Sequence, residues 1–172
     1  GRKPAKFGTP LLGINMGTMG FLAAADGADA NETIEKVLNG EYKIEKRLML
    51  ESEIISETDS PKQYRAIYDV CITRGVFTKI TEYKIYVNDE YLATFRADGI
   101  IVSTPTGSTA YNLSAGGPVL KPDIECMVIT PICPHSLHSR SIVVSADDTV
   151  RIEASFGSNG DIIMSMDGQT SV

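Results

Sequence analysis

Asp98-Gly-Ile-Ile-Val-Ser-Thr-Pro-Thr-Gly-Ser-Thr-Ala-Tyr-Asn-Leu-Ser-Ala-Gly-Gly-Pro118 is the stretch on which the reading of this chain turns. It opens on a short apolar run, Ile100–Ser103, that reads as a buried strand. Pro105 disfavours helix at Thr104, and a Thr or Ser can cap a helix starting near Ser108. The N-terminus of such a helix presents free N–H groups and the positive end of its dipole. The hydroxyls of Thr106, Ser108 and Thr109 would stand beside it, which makes a cradle for a phosphate or a ribose. Tyr111 adds an aromatic face, and Gly116-Gly117 permit close approach of a ligand or another backbone. The competing reading is a Ser/Thr-rich turn that only caps a helix. A Walker A loop is excluded, because Gly-Lys-Ser/Thr is absent.

Outward from this segment the pattern is short strands separated by turn signals. Strands are expected at Ala66–Thr73, Cys126–Thr130, Ser141–Ser145, Thr149–Ala154 and Ile162–Met166, with strand-forming stretches within Ile44–Ile55. Tyr83–Tyr91 alternates around Asn88-Asp89, a hairpin-turn pair. Before residue 41 the character differs. Pro10–Asn15 reads as a short buried strand, followed by a glycine-rich bend. Asn31–Gly40 reads as a helix: Asn31 caps it, Glu32 and Glu35 suit its positive end, and Gly40 closes it. The expected fold class is therefore an α/β fragment, residues 1–40 forming the end of an α/β domain, followed by a mostly-β, β-sandwich-like domain over residues 41–172.

Composition narrows the functions. A net charge of −6 with no basic run argues against nucleic acid as a partner. No apolar stretch approaches the roughly 20 residues of a membrane helix. Cys71, Cys126 and Cys133 are odd in number and lack CxxC spacing, so they read as reduced thiols of a cytoplasmic protein, without a metal site. Taken alone, His135 beside Pro134 reads as structural more readily than as functional, and Asp98 reads as a plain turn acid.

The motifs, taken together, resemble the NAD kinase family. The matching blocks are Gly13-Ile-Asn-Met-Gly-Thr-Met-Gly-Phe-Leu22, Ala97-Asp-Gly99, Thr104-Pro-Thr-Gly-Ser-Thr-Ala-Tyr111, Leu113-Ser-Ala-Gly-Gly-Pro118, Thr130-Pro-Ile-Cys-Pro-His135 and Met166-Asp-Gly-Gln169, in the family's order. The resemblance implies phosphoryl transfer from ATP, or from polyphosphate, to the 2′-hydroxyl of the adenosine ribose of NAD, giving NADP. It also implies Mg2+ or another divalent metal with the ATP, and a homodimer or homotetramer. It places Phe21 and Leu22 against adenine, and Thr106, Thr109, Ala110, Tyr111 and Ser114 along the dinucleotide. It places Asp98 at the nicotinamide end with Arg96 holding a charge partner or phosphate, Cys133 and His135 lining the pocket, and Asp167, Gly168 and Gln169 near the nucleotide.

Two departures qualify that. The family's Gly-Gly-Asp-Gly, whose aspartate serves as general base, does not occur here. The catalytic group is therefore expected upstream of this sequence, none in this chain, and the chain alone is expected to be inactive. Where the family carries Asn-Glu or Asn-Asp, this chain reads Tyr68-Asp69. Asp69 keeps a carboxylate for the ribose hydroxyls, whereas Tyr68 lacks the paired donor and acceptor of asparagine. The alternatives are a lipid kinase of the same superfamily and a non-catalytic NAD/NADP-binding module.

Overall fold

The structure is a computed structural model describing residues 7–17, 22–55, 60–75, 80–155 and 161–171. The chain forms two compact units, 1–46 and 47–172. In the first, β1 (Ile14–Asn15) pairs in parallel with β2 (Ala25–Asp26), and a 3-10 turn at Gly27–Asp29 leads into α1 (Ala30–Leu38). The expected strand over Pro10–Asn15 is thus confined to its last two residues. The expected helix is present, but Asp29 rather than Asn31 holds the capping position, and it makes no side-chain cap. Lys36 pairs with Glu32 one turn earlier at 2.5 Å, an exposed contact of small worth.

The second unit holds the strands β3 (Leu50–Ile54), β4 (Lys62–Ala66), β5 (Asp69–Arg74), β6 (Thr81–Val87), β7 (Glu90–Ala97), β8 (Gly99–Ser103), β9 (Cys126–Ile132), β10 (Ile142–Ser145), β11 (Val150–Ser155), β12 (Ile162–Met166) and β13 (Thr170–Ser171). Six of them form an antiparallel sheet in the order β10-β9-β8-β5-β12-β13. Three form a second sheet, β11-β6-β7, and β3-β4 is a hairpin of its own. Inward-facing Val70, Ile100, Val102, Met127, Ile129, Met164 and Met166 of the large sheet join Tyr83, Ile85, Phe95 and Ala97 of the small one in a single core. This is the sandwich that the strand pattern predicts.

The β6–β7 turn falls at Asn88-Asp89, both with left-handed φ (51° and 65°), as a two-residue hairpin turn requires. Asn88 also fastens the tip to the start of β11: its amide donates to Asp148 at 2.7 Å and its carbonyl accepts from Thr149 N–H at 2.9 Å. Two expectations need correction. Within Ile44–Ile55 only Leu50–Ile54 is strand. The single strand expected over Ala66–Thr73 is broken at Ile67-Tyr68, giving β4 and β5. The break has a visible cause. The Asp167 carboxylate accepts from the N–H groups of Ile67 and Tyr68 (3.0 and 2.8 Å), donors that a continuous strand would spend on a ladder.

In the large sheet, β8 and β9 are buried along their whole length. Their inner face meets the sandwich core. Their outer face carries a second, smaller cluster, Cys71, Ile101 and Ile132 with Ala115 against it. Near-continuous apolar runs such as Ile100-Ile-Val102 and Met127-Val-Ile129 follow from burial on both faces. Ile129 is fully buried at the centre of this arrangement. Ile129→Ala is expected to lower stability by about 2–5 kcal/mol, read from equilibrium urea unfolding. A loss well under one kcal/mol would mean that the two sheets do not share this core.

Candidate functional site

The site grows from the outer face of the large sheet. β5, β8 and β9 bring Asp69, Ser103 and Val128 into one row, and Cys71, Ile101 and Thr130 into the next. Over this face runs the segment from Thr104 to Leu120. It contains a 3-10 turn at Gly107–Thr109 and one turn of helix, α2 (Tyr111–Ser114).

Buried polar groups fasten that segment down. Thr104 Oγ1 donates to the Ile67 carbonyl at 2.6 Å and accepts from Gly107 N–H at 3.0 Å. Thr104 N–H donates to the Tyr68 carbonyl at 2.9 Å. A Cβ on Gly107 would overlap the same Tyr68 carbonyl oxygen, so only glycine lets the two backbones meet. Ser108 Oγ donates to the Pro105 carbonyl at 2.7 Å and accepts from Leu120 N–H at 3.0 Å. Asn112, fully buried, donates to the carbonyls of Ser108 and Pro118 and accepts from Thr130 Oγ1 at 2.7 Å. Gly117 packs on this amide so tightly that a Cβ would strike it.

These contacts revise the expected cradle. The helix over Tyr111–Ser114 is one turn long and has no side-chain cap. Ser108 is spent inside the loop and fully buried, so it is no phosphate ligand. The Ser/Thr residues serve mainly to hold the loop shape. Thr106 is the exception: its hydroxyl is buried and has no hydrogen-bond partner. Such a group costs on the order of 1–3 kcal/mol unless something satisfies it.

Asp69 is a second buried polar residue, 5% exposed. Burial, with the Asp167 charge second, pushes its pKa up to about 6. Behind it the Cys71 thiol is driven up to about 12, first by burial and then by Asp69, so it is an inert wall rather than a nucleophile. Tyr111 stands half-exposed above this floor. Its phenol is held above the usual range by burial first, then by the charges of Cys71, Cys133, Asp69 and Asp98. Asp98 is no free turn acid: it pairs with Arg74 at 2.7 Å, a partner that sequence reading missed. Cys133 is exposed, with a left-handed φ of 45° where β9 ends.

The expected residues therefore divide. Asp69 lies on the outer face of the large sheet, Asp98 and Cys133 follow directly on β7 and β9, and Tyr111 is on the segment over that face together with Thr106, Thr109, Ala110 and Ser114. Arg96 and His135 lie together instead at the edge of β7, where His135 N–H donates to the Arg96 carbonyl at 2.8 Å. Gln169 is exposed beyond β12, its N–H bonded to the Met166 carbonyl. Asp167 holds the 67–69 backbone rather than standing free. Leu22 belongs to the first unit, and Phe21 lies outside the described residues. Asn112, Thr104 and Thr130 organise the loop, a role that the sequence did not signal, although Thr104 and Thr130 open two of the matching blocks.

Fold and site together define a β-sandwich domain whose larger sheet is covered on its outer face by a hydroxyl-rich loop. The profile of the ATP-NAD kinase C-terminal domain matches residues 67–172, and that of the ATP-NAD kinase N-terminal domain matches residues 3–42. The chain belongs to the NAD kinase family. It is 51% identical over 165 residues to the NAD kinase of Caldanaerobacter subterraneus subsp. tengcongensis, covering 96% of this chain and 58% of that protein. It is 42% identical over 167 residues to the NAD kinase of Symbiobacterium thermophilum, covering 97% of this chain and 59% of that one. The chain thus spans a little over half the length of the curated relatives it matches. Among solved structures it resembles yeast NADH kinase complexed with NADH, with a TM-score of 0.85 and 32% identity over 92% of this chain and 46% of that one. It also resembles an NAD kinase from Archaeoglobus fulgidus in complex with ATP, with a TM-score of 0.80 and 28% identity over 95% and 61%.

The raised pKa of Asp69 sets a testable pH dependence. Its unfolded value is near 3.9, so between about pH 4 and 6 the folded state binds more protons than the unfolded one. The stability contributed by this group is present at low pH and is lost as pH rises through that window. Asp69→Asn should remove this slope and leave a protein more stable than the parent at neutral pH, as measured by urea midpoints across pH 4 to 8. Parallel profiles for the two proteins would show that Asp69 is not desolvated as described.

Proposed function

We propose that this chain forms the dinucleotide-binding part of an NAD kinase, which transfers a phosphoryl group from ATP, or from polyphosphate, to the 2′-hydroxyl of the adenosine ribose of NAD. Family membership supports the reaction class. The observation that carries the substrate is the partnerless buried hydroxyl of Thr106, on the loop that covers the sheet face bearing the buried acid Asp69 and that also carries the half-exposed ring of Tyr111.

The chemistry suits a nucleoside. At neutral pH Asp69 is ionised and acceptor-only, and ribose hydroxyls donate. Tyr111 offers a face for a planar base or the nicotinamide ring. Phe21, Leu22, Thr109, Ala110 and Ser114 belong to the same binding assignment, with Asp98 at the nicotinamide end and Cys133 beside it. Tyr68 acts through its backbone: its carbonyl receives Thr104, and its N–H is held by Asp167. That lessens the consequence of its departure from the family's asparagine. Gln169 follows the Asp167 anchor and closes the segment.

Phosphoryl transfer depends chiefly on positioning and charge neutralisation. In the family a divalent cation such as Mg2+ neutralises the phosphates. Among the described residues no three His, Cys, Asp or Glu side chains converge to hold one, and no step attributed to this chain runs through a metal. The role of residues 41–172 is to fix the ribose, as a β-sandwich-like nucleotide-binding domain, while residues 1–40 complete an α/β domain. A homodimer or homotetramer and a cytoplasmic setting belong to the same proposal. Among the described residues no helix is long and apolar enough to cross a membrane.

Calorimetric titration with NAD and NADP tests this. A saturable heat is expected, weakened about tenfold or more by Asp69→Ala, the worth of one charged hydrogen bond. A cooperatively folded sample that ignores both dinucleotides contradicts the proposal.

A further inference from the structure

Asp98 lies at the corner where the chain leaves β7 of the small sheet and enters β8 of the large one. One residue, Arg74 at the end of β5, grips it twice. The Arg74 N–H donates to the Asp98 carbonyl at 3.2 Å, and the guanidinium meets carboxylate oxygen Oδ1 at 2.7 Å. The hydroxyl of buried Tyr83 donates to the same carbonyl at 3.4 Å, and the Asp98 N–H donates to the Ile132 carbonyl at 3.0 Å. The next residue, Gly99, approaches the Ile72 carbonyl so closely that a Cβ would overlap it. Peptide and side chain of Asp98 are both fixed, so the direction of its carboxylate is set before a ligand arrives.

The pair stays within reach of a ligand, with 28% of the Arg74 side chain and 36% of that of Asp98 exposed. A solvent-screened ion pair adds little stability, so stability alone gives little reason for this double grip. Its place along the sheet points to the ligand. Asp69 opens β5 and Arg74 closes it, with Ser103 opposite Asp69 and Gly99 opposite Thr73. At about 3.3 Å per residue the two ends are about 17 Å apart, a reach that two nucleosides joined through a diphosphate can span. With the adenosine ribose at Asp69, the second ring comes to Asp98.

An ionised carboxylate is acceptor-only, so it receives the N–H of a carboxamide and repels another carboxylate. A free guanidinium would do the opposite, since its fork matches a carboxylate. Paired with Asp98, the Arg74 guanidinium is not free for a ligand. We propose that Arg74 is a specificity-determining residue: by holding Asp98 it aims an acceptor at the ring substituent and withholds its own cation, so the site takes a carboxamide-bearing ring and rejects the corresponding acid. This filter deepens the dinucleotide reading given above and rests on it for the placement of the second ring.

NAD and nicotinic acid adenine dinucleotide, which carries a carboxylate in place of the carboxamide, are the probes, titrated calorimetrically. The parent should bind the amide at least about tenfold more tightly, the worth of one charge-assisted hydrogen bond. Asp98→Asn should shift the ratio of affinities about tenfold or more toward the acid, because it leaves the Arg74 guanidinium to the ligand. Asp98→Asn/Arg74→Gln should lose that gain. Arg74→Gln alone, with the Asp98 charge uncompensated, should reject the acid more strongly than the parent does. A residue that merely staples the corner would move stability in these variants and leave the ratio where it was. Thermal melts show that each ratio is read on folded protein, and if Asp98→Asn does not fold, the parent and Arg74→Gln ratios decide. Equal affinities in the parent, an unchanged ratio in Asp98→Asn or Arg74→Gln, or a gain for the acid that persists without Arg74, overturns the filter and leaves the dinucleotide reading standing. Folded parent that binds neither dinucleotide overturns both.

Discussion

The Tyr68 peptide is held from both sides, and the candidate site is built on that grip. Its N–H donates to the Asp167 carboxylate, which also receives the N–H groups of Ile67 and Asp69. Its carbonyl receives the N–H and hydroxyl of Thr104. Hydrogen bonds to a charged acceptor are worth about 1.5–3 kcal/mol each, enough to interrupt what the sequence would otherwise extend as one strand. The interruption turns Asp69 onto the outer face at the start of β5. It also gives the loop after β8 a fixed point to land on, with Gly107 supplying the clearance.

From that fixed point the rest is packing. The outer face of β8 and β9 cannot stay wet, since Ile101, Val128 and Ile132 lie on it. The loop from Thr104 to Leu120 covers it, at the cost of burying many polar backbone groups. Ser108, Asn112 and Thr130 satisfy those groups from within. Of the two buried hydroxyls without a partner among the described residues, Ser52 and Thr106, the one on Thr106 lies in this loop and marks where the protein withholds a partner that a ligand can supply. An unsatisfied buried polar group is destabilising by itself, so its presence here argues for binding rather than for structure.

Much of this was legible in the sequence and some was not, for physical reasons. The alternating or apolar runs of β8, β9, β11 and β12 announce themselves, because burial of a face dictates their period. The Asn88-Asp89 turn is readable because few residue pairs tolerate two left-handed φ angles. The β4–β5 break was not readable, because its cause, Asp167, lies about a hundred residues away in sequence. The same holds for Arg74, which neutralises Asp98. The hydroxyl-rich segment was correctly singled out but misjudged in part. Its composition is the same whether a hydroxyl faces a ligand or a carbonyl of its own loop, and only the fold decides which. Thr106 faces no partner and Ser108 faces two.

Native-state hydrogen exchange, followed amide by amide, tests the grip on Tyr68 most directly. In the parent protein the amides of Ile67, Tyr68, Thr104 and Gly107 should exchange only through near-global opening. In Asp167→Ala they should open by a local route far more readily, while the β6–β7 hairpin keeps its protection. Equal loss of protection everywhere, or none at 67–69 and 104–107, would contradict the claim that this one carboxylate assembles the site.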